Sequence, residues 1–412
     1  MDRVLLLIPT STYRAAAFMK AATKLQLEVI VGTDQYQALS PLVSQKTLTL
    51  NFQNQAQAIQ QIVQFAKKRP FKAVVGVDDD SVFLAAMANQ ALLLKHNPID
   101  AVSATRNKYL MRQKLKDSQV LSPDIQLFSI TTDPQSLTEQ VPLPCVLKPT
   151  FLSGSRGVIR ANTAEEFIDA FCQIRTLLSQ QDIIKKNSDF ARHILVEDYI
   201  PGVEVALEGL LVDGKLQLLA LFDKPDPLEG PLFAETIYVT PSRLSPDLQQ
   251  DIFRTVQQTV TTIGLQDGPV HAELRCNDKG VWPVEIAVRS IGGLCSRIFE
   301  FGRQFSLEEL ILRHALDEEI SSLLHSTQAA GVMMIPISKQ GTLKTVEGME
   351  RAQRVSGIEN VVMSIPNGQV VEPLPNGDQY LGFIFARGAS PAFVEQALRE
   401  ASACLKIEIS DS

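Results

Sequence analysis

The first hundred residues alternate between short apolar runs and amphipathic stretches, and this alternation constrains the fold more than any other feature of the sequence. The predicted strands are Val4–Ile8, Glu28–Val31 and Ala73–Val77, and helical stretches at 13–25 and 55–68 separate them. Short continuous apolar runs are typical of strands buried on both faces. Strands that alternate with helices form a parallel sheet covered by those helices. We therefore predict an α/β, Rossmann-like unit at the start of the chain.

The remaining chain combines helical stretches with patterns that are richer in strands. The pattern predicts one helix over 104–116, a polar loop over 180–192, and a helix from Ser245-Pro246 to Gly264. After Gly331 we predict a small α+β unit of strand, loop, strand and a final helix. No Gly-x-Gly-x-x-Gly follows the first strand, so the sequence does not favour a dinucleotide site.

Composition excludes several classes of protein. The chain has 412 residues with 39 Lys+Arg and 46 Asp+Glu, a net charge of −7, which argues against a nucleic-acid partner. Its five cysteines are far apart, which excludes a disulfide scaffold and favours a reducing compartment. No apolar run reaches about 18 residues, so we expect no membrane span. We therefore expect a cytoplasmic enzyme of several domains.

A hairpin near residues 271–289 carries the most informative chemistry. A three-residue turn that ends at Gly280 places Glu273 directly opposite Glu285. Because side chains alternate along a strand, His271 and Arg275 share their face, and Val284 is predicted to point into the core. Two opposed carboxylates repel each other and need compensation.

Two explanations for that compensation stay open at this point. A hard divalent cation such as Mg²⁺ binds a few carboxylates together with nucleotide phosphates. Alternatively, Arg275, Arg289 and solvent neutralise the pair as a surface charge lattice. The sequence Arg289-Ser-Ile-Gly292-Gly293 favours a ligand, because an arginine suits an anion and glycines permit close backbone approach.

Two further segments carry groups that suit a nucleotide. Lys148-Pro149 ends a strand and leads into a loop of small residues with one arginine, 153–157, which can offer N–H groups and a cation to phosphates. Farther along, Glu197-Asp-Tyr-Ile200 leads through a Pro-Gly bend to Glu204. Each segment alone is a weak signal.

Together and in this order, these segments resemble the ATP-grasp superfamily over about residues 104–320. The resemblance implies an ATP-grasp fold in four parts: a Rossmann-like domain at 1–103, a linker helix and lid subdomain at 104–195, a core with the Mg/ATP site at 196–328, and a small α+β domain at 329–412. It also implies ATP and Mg²⁺ as cofactors, with Mn²⁺ as an alternative ion.

The resemblance assigns roles to individual residues of this sequence. The residues that match nucleotide contacts are Lys108, Lys148, the lid loop Ser153, Gly154, Ser155, Arg156 and Gly157, the adenine hinge from Glu197 to Ile200, and the ribose-binding Glu204. Glu273 and Glu285 match the Mg²⁺ carboxylates, and Arg289 matches the phosphate- and substrate-binding arginine. Beside the resemblance, the residues themselves suggest that the N–H groups near Gly292 and Gly293 contact substrate, and that His271 on the same face is a catalytic candidate. His271 is a proton acceptor, a phosphate contact or a structural residue, and Lys224 contacts phosphate or faces solvent. Ala287 stands where the family often has a metal-binding asparagine, which puts a second Mg²⁺ in doubt.

Within the superfamily, the segment from Phe222 to Glu235 and the C-terminal region resemble L-amino acid ligases and other carboxylate–amine ligases. That resemblance implies an amide bond made through an acyl phosphate, with small carboxylate and amine substrates such as amino acids. It also implies a homodimer as one option, with no nucleic-acid or membrane partner. A carboxylase that forms carboxyphosphate, and a nucleotide-binding regulator without catalysis, are the alternatives.

Overall fold

The N-terminal sheet is parallel and confirms the Rossmann-like prediction. The structure is a computed structural model that describes residues 2–10, 12–34, 46–186, 189–299, 305–320 and 328–411. The first four strands are β1 (Arg3–Leu7), β2 (Glu28–Thr33), β3 (Thr47–Thr49) and β4 (Ala73–Gly76). The helices among and after them are α1 (Ala15–Lys24), α2 (Gln55–Ala66) and α3 (Asp79–Ala91). The order is β3-β2-β1-β4, and the paired strands are parallel.

The predicted helix over 104–116 is confirmed over 108–115 and wrong at its start, because two helices meet there. They are α4 (Ile99–Thr105) and α5 (Lys108–Leu115). Asn107 lies between them in an extended conformation, and its side chain accepts hydrogen bonds from the backbone N–H groups of Tyr109 and Leu110. This is an N-cap, which satisfies donors that a new helix leaves unpaired. The cap therefore fixes Lys108 as the first residue of α5.

An antiparallel sheet follows, which we call the lid sheet. Its strands are β5 (Ile125–Ser129), β6 (Cys145–Pro149), β7 (Ile159–Ala161) and β8 (His193–Asp198), in the order β5-β8-β6-β7. Its helices are α6 (Ala164–Leu178) and α7 (Gln181–Lys186). The predicted loop over 180–192 is therefore wrong in part. Ile183 is buried in the apolar core beneath this sheet, and that contact favours a helical turn in a polar segment.

The largest sheet has eight strands and holds the centre of the molecule. Its first five strands are β9 (Val203–Val212), β10 (Lys215–Asp223), β11 (Ile237–Thr240), β12 (Gly268–Asn277) and β13 (Gly280–Ala287). Two helices accompany this part of the chain, α8 (Pro246–Ile263) and α9 (Leu307–Ala315). The prediction for α8 is confirmed, since Ser245 caps its start and Gly264 ends it at φ 96°.

The C-terminal region adds further strands to the same large sheet. Its strands are β14 (Ala329–Ile335), β15 (Gly341–Glu347), β16 (Ile358–Met363), β17 (Val370–Val371), β18 (Gly382–Gly388) and β19 (Lys406–Ser410). Its helices are α10 (Met349–Gln353) and α11 (Pro391–Ala403). The large sheet has the order β13-β12-β9-β10-β11-β14-β18-β16, and a small sheet has the order β17-β15-β19. The large sheet thus crosses residue 329, and the four domain boundaries stay predictions.

Candidate active site

A cavity of about 300 Å³, here called the site cavity, is lined by residues of the N-terminal region, the lid sheet, the large sheet and the C-terminal region. Most of the predicted site residues line it. They are Lys108, Lys148, Ser153, Gly154, Ser155, Glu197, Ile200, Glu204, His271, Glu273, Glu285, Arg289, Gly292 and Gly293. Residues separated by up to 185 positions in the chain therefore meet around one space that is large enough for a small ligand.

Three predicted residues occupy other positions. Arg156 lines a neighbouring cavity of about 350 Å³, where its Nε donates to the carbonyl oxygen of Asn376 at 2.6 Å. Gly157 has a φ of +73° and packs so tightly that an added Cβ would lie 2.8 Å from Pro149 Cγ. Lys224 is buried among carboxylates, so the alternative of a solvent-facing lysine is wrong.

The hairpin of β12 and β13 places Glu273 directly opposite Glu285, as predicted. The predicted turn is nevertheless wrong. Asn277 pairs with Gly280, so only two residues form the turn, and a bulge at Val284 restores the register at the glutamates. Because a bulge redirects a side chain, Val284 lines the site cavity and does not enter the core.

Lysines accompany the two opposed carboxylates. Lys108 Nζ lies 3.3 Å from Glu285 Oε2, and Lys224 Nζ lies 3.6 Å from Glu273 Oε1. Arg275 and Arg289, which the lattice hypothesis assigned to this task, form their ion pairs with other acids. Both glutamate side chains keep a fifth to a quarter of their surface exposed, at 21% and 25%, so they remain open to a ligand.

A cluster of three carboxylates surrounds the Lys224 ammonium. Its Nζ donates to Glu204 Oε1 at 2.8 Å and also to Glu235. One carboxylate oxygen from each of Glu204, Glu235 and Glu273 lies within 4.8 Å of the others. Burial and the neighbouring Glu273 charge raise the pKa of Glu235 to about 7. Burial would raise the pKa of Glu273 as well, but the Lys224 charge outweighs it and holds that pKa well below its ordinary value.

A buried ion-pair network supports the lid side of the site cavity. Arg112 donates to both oxygens of Glu197, at 2.8 and 3.2 Å, and Lys148 Nζ lies 2.6 Å from Glu197 Oε2. Burial opposes the charge on Glu197, yet Arg112 and Lys148 outweigh it and lower its pKa to about 2. Burial also lowers the pKa of Lys148, although the Glu197 charge opposes this shift. Arg112 further donates to the carbonyl oxygen of Pro283 at 2.6 Å, which ties α5 to the hairpin.

His271 and Arg289 each have a carboxylate partner. His271 Nδ1 lies 3.0 Å from Glu208 Oε2, and its Nε2 lies 3.5 Å from Glu273 Oε1. Burial alone would lower the pKa of His271, but these two carboxylates outweigh it and raise the pKa to about 9. Arg289 Nε donates to Asp79 Oδ2 at 2.8 Å, across 210 positions of the chain.

Several residues around the site were missed by the sequence reasoning. Arg112, Glu208 and Asp79 carried no motif, because their partners lie 63 to 210 positions away. Glu235 offered a signal, since it ends the segment that resembles carboxylate–amine ligases. The donor set of the cavity suits Mg²⁺, since hard cations take carboxylate oxygens; Ala287 is buried and provides no side-chain ligand.

Comparison with known protein families supports the same fold. Family models match an ATP-grasp N-terminal domain at residues 19–94, an ATP-grasp domain at 141–298 and L-amino acid ligase C-terminal domain 2 at 333–410. The chain has the ATP-grasp fold. The ATP-grasp domain match includes Lys148, both opposed glutamates and Arg289, so the site cavity belongs largely to that domain.

Individual relatives of this ATP-grasp chain include named ligases and synthases. Alanine–anticapsin ligase of Bacillus subtilis (strain 168) is 26% identical over 233 residues, which cover 53% of this chain and 48% of the relative. The chain thus spans about half the length of that relative. Dapdiamide A synthase of Enterobacter agglomerans is 25% identical over 341 residues, 80% of this chain and 78% of the relative.

Among solved structures, an L-amino acid ligase from Bacillus licheniformis superposes on this ATP-grasp chain with a TM-score of 0.81. The two chains are 23% identical, and the match covers 100% of this chain and 99% of that one. This similarity supports the fold along the whole chain. Among the described residues, no helix is both long and apolar enough to span a membrane.

Proposed function

We propose that this chain is an ATP-dependent carboxylate–amine ligase, which joins two amino-acid-type substrates by an amide bond. The observation that carries the proposal is the meeting of Lys108, Lys148, Arg289 and two opposed glutamates around one cavity. The C-terminal match to an L-amino acid ligase domain and the printed names of the relatives support the same class of reaction.

In this proposal, ATP is the phosphoryl donor and occupies the lid side of the site cavity. Lys108 and Lys148 neutralise its phosphates, and Arg156 adds positive charge from the neighbouring cavity, which Lys108 also lines. The backbone from Glu197 to Ile200 holds adenine, and Glu204 binds the ribose hydroxyls. Phosphoryl transfer requires positioning and charge neutralisation more than covalent help, and these groups supply part of both.

Glu273 and Glu285 would hold Mg²⁺, with Mn²⁺ as the alternative ion. The ion supplies positive charge that neutralises the phosphate oxygens during transfer. Both carboxylates lie within 4 Å of an ammonium group, of Lys224 and Lys108 respectively, so each pairs with positive charge at this position. Carboxylates that are opposed across a hairpin gain most from such a charge.

The proposed reaction has two steps. A carboxylate oxygen of the first substrate attacks the γ-phosphorus, so that an acyl phosphate forms and ADP leaves. The amine nitrogen of the second substrate then attacks the acyl carbon, a C–N bond forms, and phosphate leaves as the nitrogen loses a proton. Arg289 and the N–H groups near Gly292 and Gly293 stabilise the oxyanion of this step, a contribution of about 3 kcal/mol per donor.

The pKa of His271 distinguishes between its possible roles. With a pKa of about 9 the imidazole is protonated at neutral pH. A protonated ring cannot accept a proton from the amine, so the proposal drops that role and keeps a contact with phosphate or a structural role for His271. Its neighbour Glu273 belongs to the proposed metal site, which places the charged ring near the transferred group.

The test is a phosphate-release screen over pairs of amino acids, with mass spectrometry of the products. The proposal expects ADP, phosphate and a dipeptide-like product that all require both substrates. Phosphate release that depends on bicarbonate would favour the carboxylase. Nucleotide binding without ADP production across the screen would favour the regulatory protein, and either result would overturn the ligase.

The proposal also includes the location, the domain division and the oligomeric state of the protein. Cys145, Cys172, Cys276, Cys295 and Cys404 are all free, which supports a reducing, cytoplasmic location. The four-part division at 1–103, 104–195, 196–328 and 329–412 remains part of the proposal. Light scattering on the purified chain tests the homodimer.

A further inference from the structure

The loop that carries Arg289 is held by two buried side chains of opposite charge. Arg14 lies just before α1, and its guanidinium donates to the carbonyl oxygen of Ser290 at 3.0 Å and to the Ser290 hydroxyl. Glu208 lies in β9, and its carboxylate accepts a hydrogen bond from the Ile291 N–H at 3.1 Å. Arg14 is 4% exposed and Glu208 is 0% exposed. Consecutive residues of the loop are thus fixed from opposite parts of the chain.

Arg14 is linked to Arg289 through the carbonyl group of Ser290. Arg289 Nη1 also donates to the Ser290 carbonyl oxygen, at 3.2 Å, so the two arginines share this acceptor. The Arg289 head is in turn held by Asp79, at the start of α3. The N-terminal region therefore orients both the backbone and the guanidinium of the loop, although the site belongs mainly to the large sheet.

The contact of Glu208 links the loop to the neighbouring strand. One carboxylate accepts from Ile291 N–H and also faces His271 Nδ1 at 3.0 Å. A shift of the loop would therefore also disturb the imidazole ring on β12. A buried carboxylate is costly unless every oxygen has a partner, and here the partners are groups of the proposed reaction.

We propose that Arg14 and Glu208 are positioning residues that hold Arg289 and the following N–H groups in their reactive arrangement. This inference rests on the ligase function proposed above. Catalytic donors must stay within about 0.5 Å of the productive geometry. Gly292 and Gly293 give the loop backbone freedom, and two anchors on the adjacent residues remove it. Glu208 does not line the site cavity, and Arg14 lines it but directs its guanidinium to Ser290, so both act through the loop in this proposal.

The first measurement is hydrogen exchange of the peptide that contains 289–293, because it does not depend on any activity. Arg14→Lys keeps the charge but loses the planar fork, and Glu208→Gln keeps the shape but loses the charge. Matched controls are Arg3→Lys, which alters an ion pair with Glu28, and Glu309→Gln, which alters a buried partner of Lys24. We expect exchange about tenfold faster in the loop for Arg14→Lys and Glu208→Gln and unchanged exchange in both controls.

The second measurement separates positioning from general loss of structure. With the ligase reaction, we expect kcat for amide formation to fall about 100-fold in Arg14→Lys, as for loss of an oxyanion donor, while the KM for ATP changes less than about threefold. Arg14→Ala should regain part of its kcat when free guanidinium is added. Loop exchange equal to wild type in both variants, or a kcat within about twofold of wild type, overturns the inference.

Ser290 offers a milder substitution at the same contact. If a charge variant fails to fold, Ser290→Ala removes only the hydroxyl that Arg14 contacts, and it should still speed exchange of the loop. If the wild-type protein forms no amide, the proposed function fails, whereas the exchange experiment still decides whether these two residues hold the loop. Unchanged exchange in Ser290→Ala and in the folded charge variants contradicts the proposed anchors.

Discussion

The substitution Glu197→Gln should destabilise the protein strongly, because it leaves two buried cations without their anion. Arg112 and Lys148 both lie within hydrogen-bond distance of the Glu197 carboxylate, and all three side chains are at most 5% exposed. Glutamine keeps the size of the side chain but carries no charge. The arginine would keep only its contacts with the carbonyl groups of Pro283 and Val284.

Two arguments give a similar value for the free energy of unfolding that Glu197→Gln removes. The fall of the Glu197 pKa from an ordinary 4.5 to about 2 corresponds to about 3 kcal/mol of stability at neutral pH. Removal of one partner from a buried ion pair typically costs about 3–5 kcal/mol. A depressed carboxyl pKa contributes stability above the unfolded value, and this contribution is lost as pH falls from 4.5 to about 2. The difference between wild type and variant should shrink in that window.

Urea denaturation at pH 7 tests this value. The single tryptophan, Trp282, lies in β13 next to the carbonyl group that Arg112 contacts, so its fluorescence reports local unfolding. The control is Glu350→Gln, since the Glu350 side chain is 90% exposed and pairs with the exposed Arg354. We expect a loss of about 3 kcal/mol for Glu197→Gln and under 1 kcal/mol for the control. A loss for Glu197→Gln as small as that of the control would refute the reasoning.

Three further predictions follow from the same site. Glu285→Ala should abolish ATP turnover with the fold intact, because it removes a proposed metal ligand and frees Lys108; cooperative unfolding with wild-type turnover would contradict the assignment. Arg289→Ala should lower amide formation by about 100-fold or more, with little change in nucleotide affinity measured by calorimetry. A large loss of nucleotide affinity with unchanged turnover would contradict this role. Asp79→Asn should cause a smaller loss of amide formation, because Asp79 holds the Arg289 guanidinium. Burial raises the pKa of Asp78 from an ordinary 3.8 to about 6, so the charged form costs more stability as pH rises from 3.8 to about 6. Asp78→Asn should therefore raise the melting temperature at pH 7 but not at pH 4. Equal shifts at both pH values would contradict this.

The sequence predicted elements well where local pattern determines structure. The apolar runs became parallel strands because helices bury both of their faces, and α8 begins and ends at its capping residues. The helix over 104–116 was correct only over 108–115, because the Asn107 side chain caps a new helix there. The segment 181–186 failed because the burial of Ile183, a tertiary contact, decides its conformation.

The sequence predicted the acidic and basic residues that line the candidate site, but not the buried residues that hold them in place. The pairing of Glu273 with Glu285 came out correctly although the turn was one residue too long, because the bulge at Val284 compensated for the error. Arg112 and Glu208 could not have been found in the same way. Their meaning depends on partners that only the folded chain brings within reach, and an isolated arginine in a helix or glutamate in a strand carries no periodic signal.

The continuous eight-stranded sheet limits how chains of this kind can be recombined. Strand β11 pairs along its length with β14, from Ile237 opposite Met333 to Thr240 opposite Ala330. A chimera joined at residue 329 would therefore leave the buried strand β11 as a bare apolar edge unless the incoming segment supplied a strand in the same register. Exchange of the C-terminal region between relatives is thus a problem of strand matching, and the graft must bring the partner of β11 with it.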